Sequence, residues 1–449
     1  MATLDISVVN IALPTLARSF GVALPGIEWV VLAYVVTITA LLLVLGRISD
    51  RVGRRRVYGA GLIVFTLASA LCAAAPSAAL LIAARAVQGL GAAMMTANSA
   101  ALLVAGFPEQ ERCKALGAFG AMVGVGLALG PPLGGWLVRA SWRWIFLINL
   151  PLGVLALWRL HAGVPPDRIQ APRGRLGLPG AALGCATLVL VMLGLSRGPV
   201  RGWGSPAVWP LFAVAGILAA AFVLAERGRP EPLLPFARLR GPLANAVLLT
   251  LTGQMLSIAV GFHLPHYLEE VLHFDAAASG RALAVLPLMA LLAAPLAGRL
   301  ADRLGPRRVA TLGLMIAAPG FWLLSGLGLT PDPPRLYGAM ALVGAGLGLF
   351  TVPNASAVMS AVPREELGLA SGLQGTMRNL GIAAGAAGMA ALVASRYAAH
   401  GGGPLTATQG PEFSPLAFTL ASREAYLAVM GLTLLSITFS WPRAQRSAP

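Results

Sequence analysis

Charged residues are scarce in this chain. Of 449 residues only 11% are Asp, Glu, Lys or Arg, against about 25% in soluble domains. Acids are the scarcer sign, 17 against 33 basic residues, and lysine is found once, at Lys114. So few charges cannot cover the surface of an ordinary soluble enzyme. Cysteine is rare too. Cys72, Cys113 and Cys185 are odd in number and far apart, which excludes a disulfide framework or a cysteine metal site. His263, His266, Glu269 and Glu270 have poor ligand spacing, so no metal is expected. Neither HExxH, a GxSxG elbow nor a P-loop is present, and no catalytic residue is assigned. No basic stretch precedes the first apolar run, so no cleavable leader is expected.

What is there is apolar. Hydrophobic residues make up 57% of the chain, Gly adds 53 more, and the mean hydropathy is +0.77. Runs of about 20 apolar residues span a bilayer as helices, because lipid leaves every backbone polar group to be satisfied internally. Fourteen such spans are expected, at 1–19, 28–46, 57–75, 79–104, 115–138, 142–160, 176–195, 206–226, 243–266, 281–298, 309–329, 335–359, 368–395 and 424–441. The connections leave no room for a soluble domain.

The net charge of +16 raises a nucleic-acid partner as a possibility. The placement of the bases answers it. Twenty-two of them gather on one side of the spans, nine on the other, and Arg85 and Arg378 fall inside. This is the positive-inside pattern. It puts both termini in the cytoplasm and leaves no need for nucleic acid.

The chain also repeats itself. Gly46-Arg-Ile-Ser-Asp-Arg-Val-Gly-Arg-Arg-Arg56 returns as Gly298-Arg-Leu-Ala-Asp-Arg-Leu-Gly-Pro-Arg-Arg308, with Asn98 matching Asn354 further on. Two halves of the same orientation are a transporter architecture, with substrate handled near mid-membrane between them. The expected organisation is an N-terminal six-helix bundle at 1–160, two additional helices with linkers at 161–242, and a C-terminal six-helix bundle at 243–449.

These segments resemble known signatures. Gly46–Arg56 looks like the motif after the second helix of the major facilitator superfamily. Arg85-Ala-Val-Gln-Gly-Leu-Gly91 resembles its fourth-span motif, and Gly126-Leu-Ala-Leu-Gly-Pro-Pro-Leu-Gly-Gly135 its fifth-span antiporter motif. Leu4–Pro14 and Trp142–Gly153 are similar to signatures of its fourteen-span drug:proton antiporter family. The likeness runs over essentially the whole chain. It implies an all-α membrane protein that exports amphipathic, hydrophobic drugs or metabolites in exchange for protons across the cytoplasmic membrane. It needs no cofactor and works as a monomer. A dedicated exporter of one natural product is the alternative, and a membrane-embedded enzyme or sensor a remote one.

Asp5 is the one acid inside a span. A carboxylate there costs roughly 2.5–3.5 kcal/mol on insertion scales and is usually functional, and the resemblance implies that it carries the proton. Its bland alternative is a helix N-cap at the interface. Only about 6 Å of helix precedes it, less than relatives carry, so the chain is expected to begin late. Arg85, a cation near mid-span, must face a partner or a wet cavity; the resemblance implies that it lies near Asp5 and shapes proton exchange, and a structural ion pair or carbonyl clamp is the alternative. Gly46, Asp50, Arg51, Gly53 and Arg54 form an expected inner gate, mirrored by Asp302, Arg303 and Arg307. In it the acid pairs with Arg and accepts from a neighbouring helix N-terminus; simple charge anchoring is the alternative. Gly126, Gly130, Pro131, Gly134 and Gly135 suit a bending helix packed on the other half, or generic packing. Gln88, Met95, Asn98, Phe119, Met122, Asn354, Gln374 and Arg378 are candidate cavity residues, each also explicable as core. Gly344-Ala-Gly-Leu-Gly348 reads as packing and not as a nucleotide loop. With one span acid, neutral or monocationic substrates are expected over dications.

Overall fold

The computed structural model describes the chain except residues 109–110, 168–176, 228, 230–231, 235, 237–238, 240, 404–412 and 442–449. Inside helices, the side chains at 24–25, 127–128, 131 and 276–277 are also outside the description. Among the bases assigned above to the cytoplasmic side, Arg168, Arg173, Arg175, Arg238, Arg240, Arg443 and Arg446 therefore lie outside the described residues.

The described regular elements are helices: α1 (Ala2–Phe20), α2 (Leu24–Ile27), α3 (Trp29–Val52), α4 (Arg54–Ala74), α5 (Ala78–Gly106), α6 (Arg112–Ala140), α7 (Trp144–Leu147), α8 (Asn149–Gly163), α9 (Leu178–Arg201), α10 (Trp209–Glu226), α11 (Pro242–Glu270), α12 (Ala276–Leu304), α13 (Pro306–Ser325), α14 (Pro333–Ser360), α15 (Leu367–Ala399) and α16 (Pro415–Ser440). Their ends follow local chemistry. Ser77, Asp275, Asp332 and Ser414 cap their helices by accepting from backbone N–H groups three residues on. The turns between α3 and α4 and between α12 and α13 rest on Gly53 and Gly305, with φ of 115° and 91°, which a side chain would resist.

Among the described residues, twelve stretches are long and apolar enough to cross a membrane, with α7 and α8 joined as Trp144–Gly163. The expected count was fourteen. The two long helices outside the twelve are α1 and α6, of 19 and 29 residues. Polar Asp5, Asn10 and Arg18 dilute α1, and α6 lies partly outside the described residues.

Lipid supplies no hydrophobic force between helices, so small residues set their approach. The α4–α5 contact is built on Gly61 and Gly91, where an added Cβ would meet the opposing backbone at 2.9 Å in both directions. Gly313 and Gly346 do the same between α13 and α14, at the equivalent places of the repeat. Gly344 and Gly348 press on Leu286 and Ala290 of α12, in keeping with their reading as packing residues.

Buried apolar side chains form separate clusters at one end of the molecule. One, with Val8, Leu16, Trp142 and Phe146, belongs to α1–α8. Another, with Tyr267, Phe321 and Phe418, belongs to α11–α16. At the other end, beside the Arg-rich turns, a single cluster takes Leu43, Val104 and Leu116 from the first group and Ala294, Val352 and Leu369 from the second. Helices α9 and α10 pair with each other, and α9 lies on α3 and α15.

Candidate functional site

Asp5 sits in the first turn of α1 yet caps nothing: it is 2% exposed and faces inward. One oxygen accepts from Arg85 Nη1 at 2.5 Å. The other accepts from Gln88 Nε2 and Asn149 Nδ2, each at 3.0 Å. Both side chains of the ion pair are wholly shielded. The ends of Arg85 are also committed. Nε donates to Val30 O at 2.9 Å, Nη1 to Gln88 Oε1 at 2.7 Å, and the guanidinium lies 4.0 Å over the Tyr34 ring. Gln88 donates on to Ser69 Oγ at 2.8 Å. The cluster thus draws side chains from α1, α3, α4, α5 and α8. Arg85 Nη2 and Asn149 Oδ1 have no hydrogen-bond partner within it. A buried charge pair this well bonded is costly to break by removing one partner.

The Arg-rich end is held by carboxylates placed on helix N-termini. Asp50, at the end of α3, accepts from Gly368 N and Leu369 N of α15, both at 2.8 Å. It also takes Arg54 Nε and Nη2 at 2.9 and 2.7 Å, and Arg54 continues to Arg364 O at 2.6 Å and Glu365 O at 2.9 Å. Arg47 pairs with Glu366 at 3.2 Å. Asp302, the repeat mate of Asp50, accepts from Cys113 N and Lys114 N of α6 at 3.3 and 3.2 Å. Each acid therefore crosses to the opposite half. The mirror is incomplete: among the described residues, no ion pair joins Asp302 to Arg303 or Arg307, contrary to expectation. The position matching Arg54 is Pro306, so the charged fork is missing there. Arg51 also has an interaction partner. Gly46 and Gly372 make the crossing possible, because a Cβ on either would run into the backbone of Gly368 or Leu42.

Of the antiporter-motif residues, Gly126, Gly130 and Gly134 face their own half. Gly130 lies on Ser7 and Gly134 on Val8, where a Cβ would meet Val8 O at 3.2 Å. Gly126 approaches Leu4 and Gly135 meets nothing close. These small residues bring α6 onto α1 and not onto the other half; the α6 glycines that meet the other half are Gly117, against the Ala294 backbone of α12, and more loosely Gly120 and Gly124, against the Val352 and Leu291 side chains. The side chain of Pro131 lies outside the described residues.

The candidate cavity residues divide. Gln88 is wholly buried in the Asp5 cluster. Met95 packs with Tyr34 and Phe65. Asn98 is buried and donates to Met94 O at 2.8 Å. Asn354 ties α14 to α11 through Ala246 O and Thr250 Oγ1, at 3.0 and 2.9 Å. Gln88, Met95 and Asn98 are buried inside their own half, with Asn98 Oδ1 left without a hydrogen-bond partner, while Asn354 borders a small cavity with Ala246, Leu249 and Arg307. Phe119 and Met122 are exposed on α6, and Gln374 and Arg378 are half-buried on α15.

Three participants escaped the sequence reading. Asn149 stood inside the Trp142–Gly153 segment without a role. Asp167 accepts from Arg55 N and Arg56 N at 2.9 and 3.0 Å and fills the space beside Gly53; its signal was an acid in a loop of arginines. Glu226, at the end of α10, is 2% exposed and accepts from Leu233 N.

Comparison with known proteins follows the same lines. The family model described as Major Facilitator Superfamily matches residues 1–386. The chain is 34% identical to "Puromycin resistance protein pur8" of Streptomyces alboniger, over 98% of this chain and 88% of that one. It is 33% identical to "Multidrug resistance protein Stp" of Mycobacterium tuberculosis, over 88% and 74%. In fold it is similar to the human organic anion transporter MFSD10, with a TM-score of 0.67 at 18% identity, covering 98% of this chain and 97% of that one.

Proposed function

The chain belongs to the Major Facilitator Superfamily, and from that premise we propose that it is a proton-driven exporter of amphipathic, hydrophobic molecules working by alternating access. It crosses the cytoplasmic membrane fourteen times, with α1 and α6 added to the twelve apolar spans. The Arg-rich end and both termini face the cytoplasm. The six-helix bundles at 1–160 and 243–449 rock about the substrate, and 161–242 supplies the extra pair. No cofactor, nucleic acid or second copy is needed; the partners are lipid, protons and a small amphipathic solute.

The observation that carries this reading is the shielded Asp5–Arg85 pair. A proton arriving at Asp5 cancels the charge that holds Arg85. Arg85 then keeps Val30 O, Gln88 Oε1 and the Tyr34 ring, which offset part of the cost of losing its counter-charge. Asp5 takes the proton from outside as substrate leaves and yields it inward as new substrate loads. The driving force is about 2.3 kcal/mol per charge per 100 mV, plus the pH gradient. The names of the Streptomyces and Mycobacterium relatives support export of toxic compounds. The former also keeps open a narrower reading, export of one natural product, which a single-compound resistance profile would favour.

Everted membrane vesicles test the coupling. Adding a transported substrate to energised vesicles carrying the wild-type protein is expected to release protons from the lumen, and Asp5→Asn is expected to abolish that release. Normal transport by Asp5→Asn would sink proton coupling at this residue.

A further inference from the structure

Asp5 and Arg85 neutralise each other out of contact with solvent. Arg378 is a further basic group well inside a span, and its surroundings are different. Gly372 and Gly375 of α15 rest on Leu42 of α3, and Asn379 donates to Thr39 Oγ1 at 3.0 Å. Gly381 and Gly385 rest on Leu251 and Met255 of α11. Ser371 reaches Thr96 O of α5 at 3.4 Å. Arg378 follows Ser371 by seven residues, about two turns, and so continues its stripe. It therefore projects between the α3-facing and α11-facing edges of α15, on the side of α5, into the space between the two halves. It is half-buried, no charged group acts on it, and no hydrogen bond or ion pair involves it among the described residues.

A guanidinium deep in a membrane protein normally has a partner or lines a wet path. Here no counter-ion is supplied by the described residues. We propose that Arg378 receives the anionic group of the substrate, and that the exported molecules are amphipathic anions bearing a carboxylate or similar oxyanion. The planar fork of Arg suits two parallel hydrogen bonds to such a group. Gln374, one turn earlier on the same side, adds an amide beside it. A cation in the same space meets repulsion from Arg378, and Asp5 is already paired. This replaces the expectation of neutral or monocationic substrates, which assumed an available Asp5. It names the substrate class for the proposed exporter and rests on that reading.

Dansyl-leucine and its uncharged primary amide make a matched pair of probes that differ at the carboxylate. Binding to the purified detergent-solubilised protein is followed by quenching of its tryptophan fluorescence, and transport by uptake into everted vesicles. The wild type is expected to bind the carboxylate about tenfold or more tighter than the amide, the gain of one charge-assisted contact. Arg378→Gln is expected to bind the two alike, and Arg378→Lys to keep part of the preference, which separates loss of charge from misfolding. Equal binding of the pair by the wild type, no saturable binding of the carboxylate, or an undiminished preference in Arg378→Gln would each overturn the proposal. Carboxylate preference without uptake into vesicles would overturn the export reading alone. Uptake of both probes without preference would overturn the anion assignment alone.

Discussion

At the scale of single residues, the balance inside the Asp5 cluster decides what substitutions do. Asp5→Asn leaves a wholly buried guanidinium without its counter-charge, and breaking such a pair costs about 3–5 kcal/mol. Removing both charges avoids that cost. The double variant Asp5→Asn with Arg85→Gln is therefore expected to recover most of the thermal stability lost by Asp5→Asn, while still moving no protons. Thermal unfolding of the purified proteins and vesicle proton release check the two halves of this statement; a double variant less stable than Asp5→Asn would contradict it. Asp5 and Arg85 were legible in the sequence because charges are so rare in apolar runs. Their partners were not. Gln88 was read as a cavity residue and Asn149 as unremarked, since an amide in a span says nothing about which neighbouring helix it will answer. That depends on packing among α1, α4, α5 and α8, which no local spacing encodes.

At the scale of elements, the acid latches differ in strength for a visible reason. Asp50 holds the N-terminus of α15 and is itself held by Arg54. Asp302 holds α6 through longer bonds and lacks the fork. Hydrogen bonds to charged groups are worth about 1.5–3 kcal/mol each. Asp50→Asn is thus expected to loosen the Arg-rich end more than Asp302→Asn. Cys113, free and 3% exposed in the cluster shared by both halves, is a built-in reporter. Its reaction with an impermeant maleimide in everted vesicles is expected to rise by about tenfold or more in Asp50→Asn, tenfold being about 1.4 kcal/mol of closed-state stability. An unchanged rate would remove Asp50 from the latch. The repeated Gly-Arg-x-x-Asp-Arg-x-Gly spacing announced an acid at a helix end. It did not announce that the receiving helix belongs to the opposite half, nor that the second copy would do without Arg.

At the scale of the whole molecule, the halves share a core at one end and keep separate cores at the other. Transport by rocking requires the shared end to come apart. Thr39 and Asn379 meet across the halves at 3.0 Å, at the level where the two ends diverge. In a variant without Cys72, Cys113 and Cys185, the pair Thr39→Cys with Asn379→Cys is expected to export normally when reduced, to stop when oxidised, and to resume on reduction. Continued export by the oxidised, cross-linked protein would rule out relative motion at this point. The span pattern and the repeat were readable from hydropathy and spacing. The closed end was not, because it depends on which glycines face across the halves: Gly46, Gly372 and Gly117 do, whereas Gly130 and Gly134 serve α1.

The reciprocal placing of Asp50 on α15 and Asp302 on α6 has a further meaning. Each half offers one carboxylate and one helix start, and each receives the same from the other. That is an isologous contact, the kind by which two identical subunits meet around a dyad, here preserved inside one polypeptide. The chain is in this respect a fused dimer. The replacement of the arginine fork by Pro306 is where the tandem copies have stopped being equivalent, so the dyad survives in the backbone contacts and has been broken in the charges.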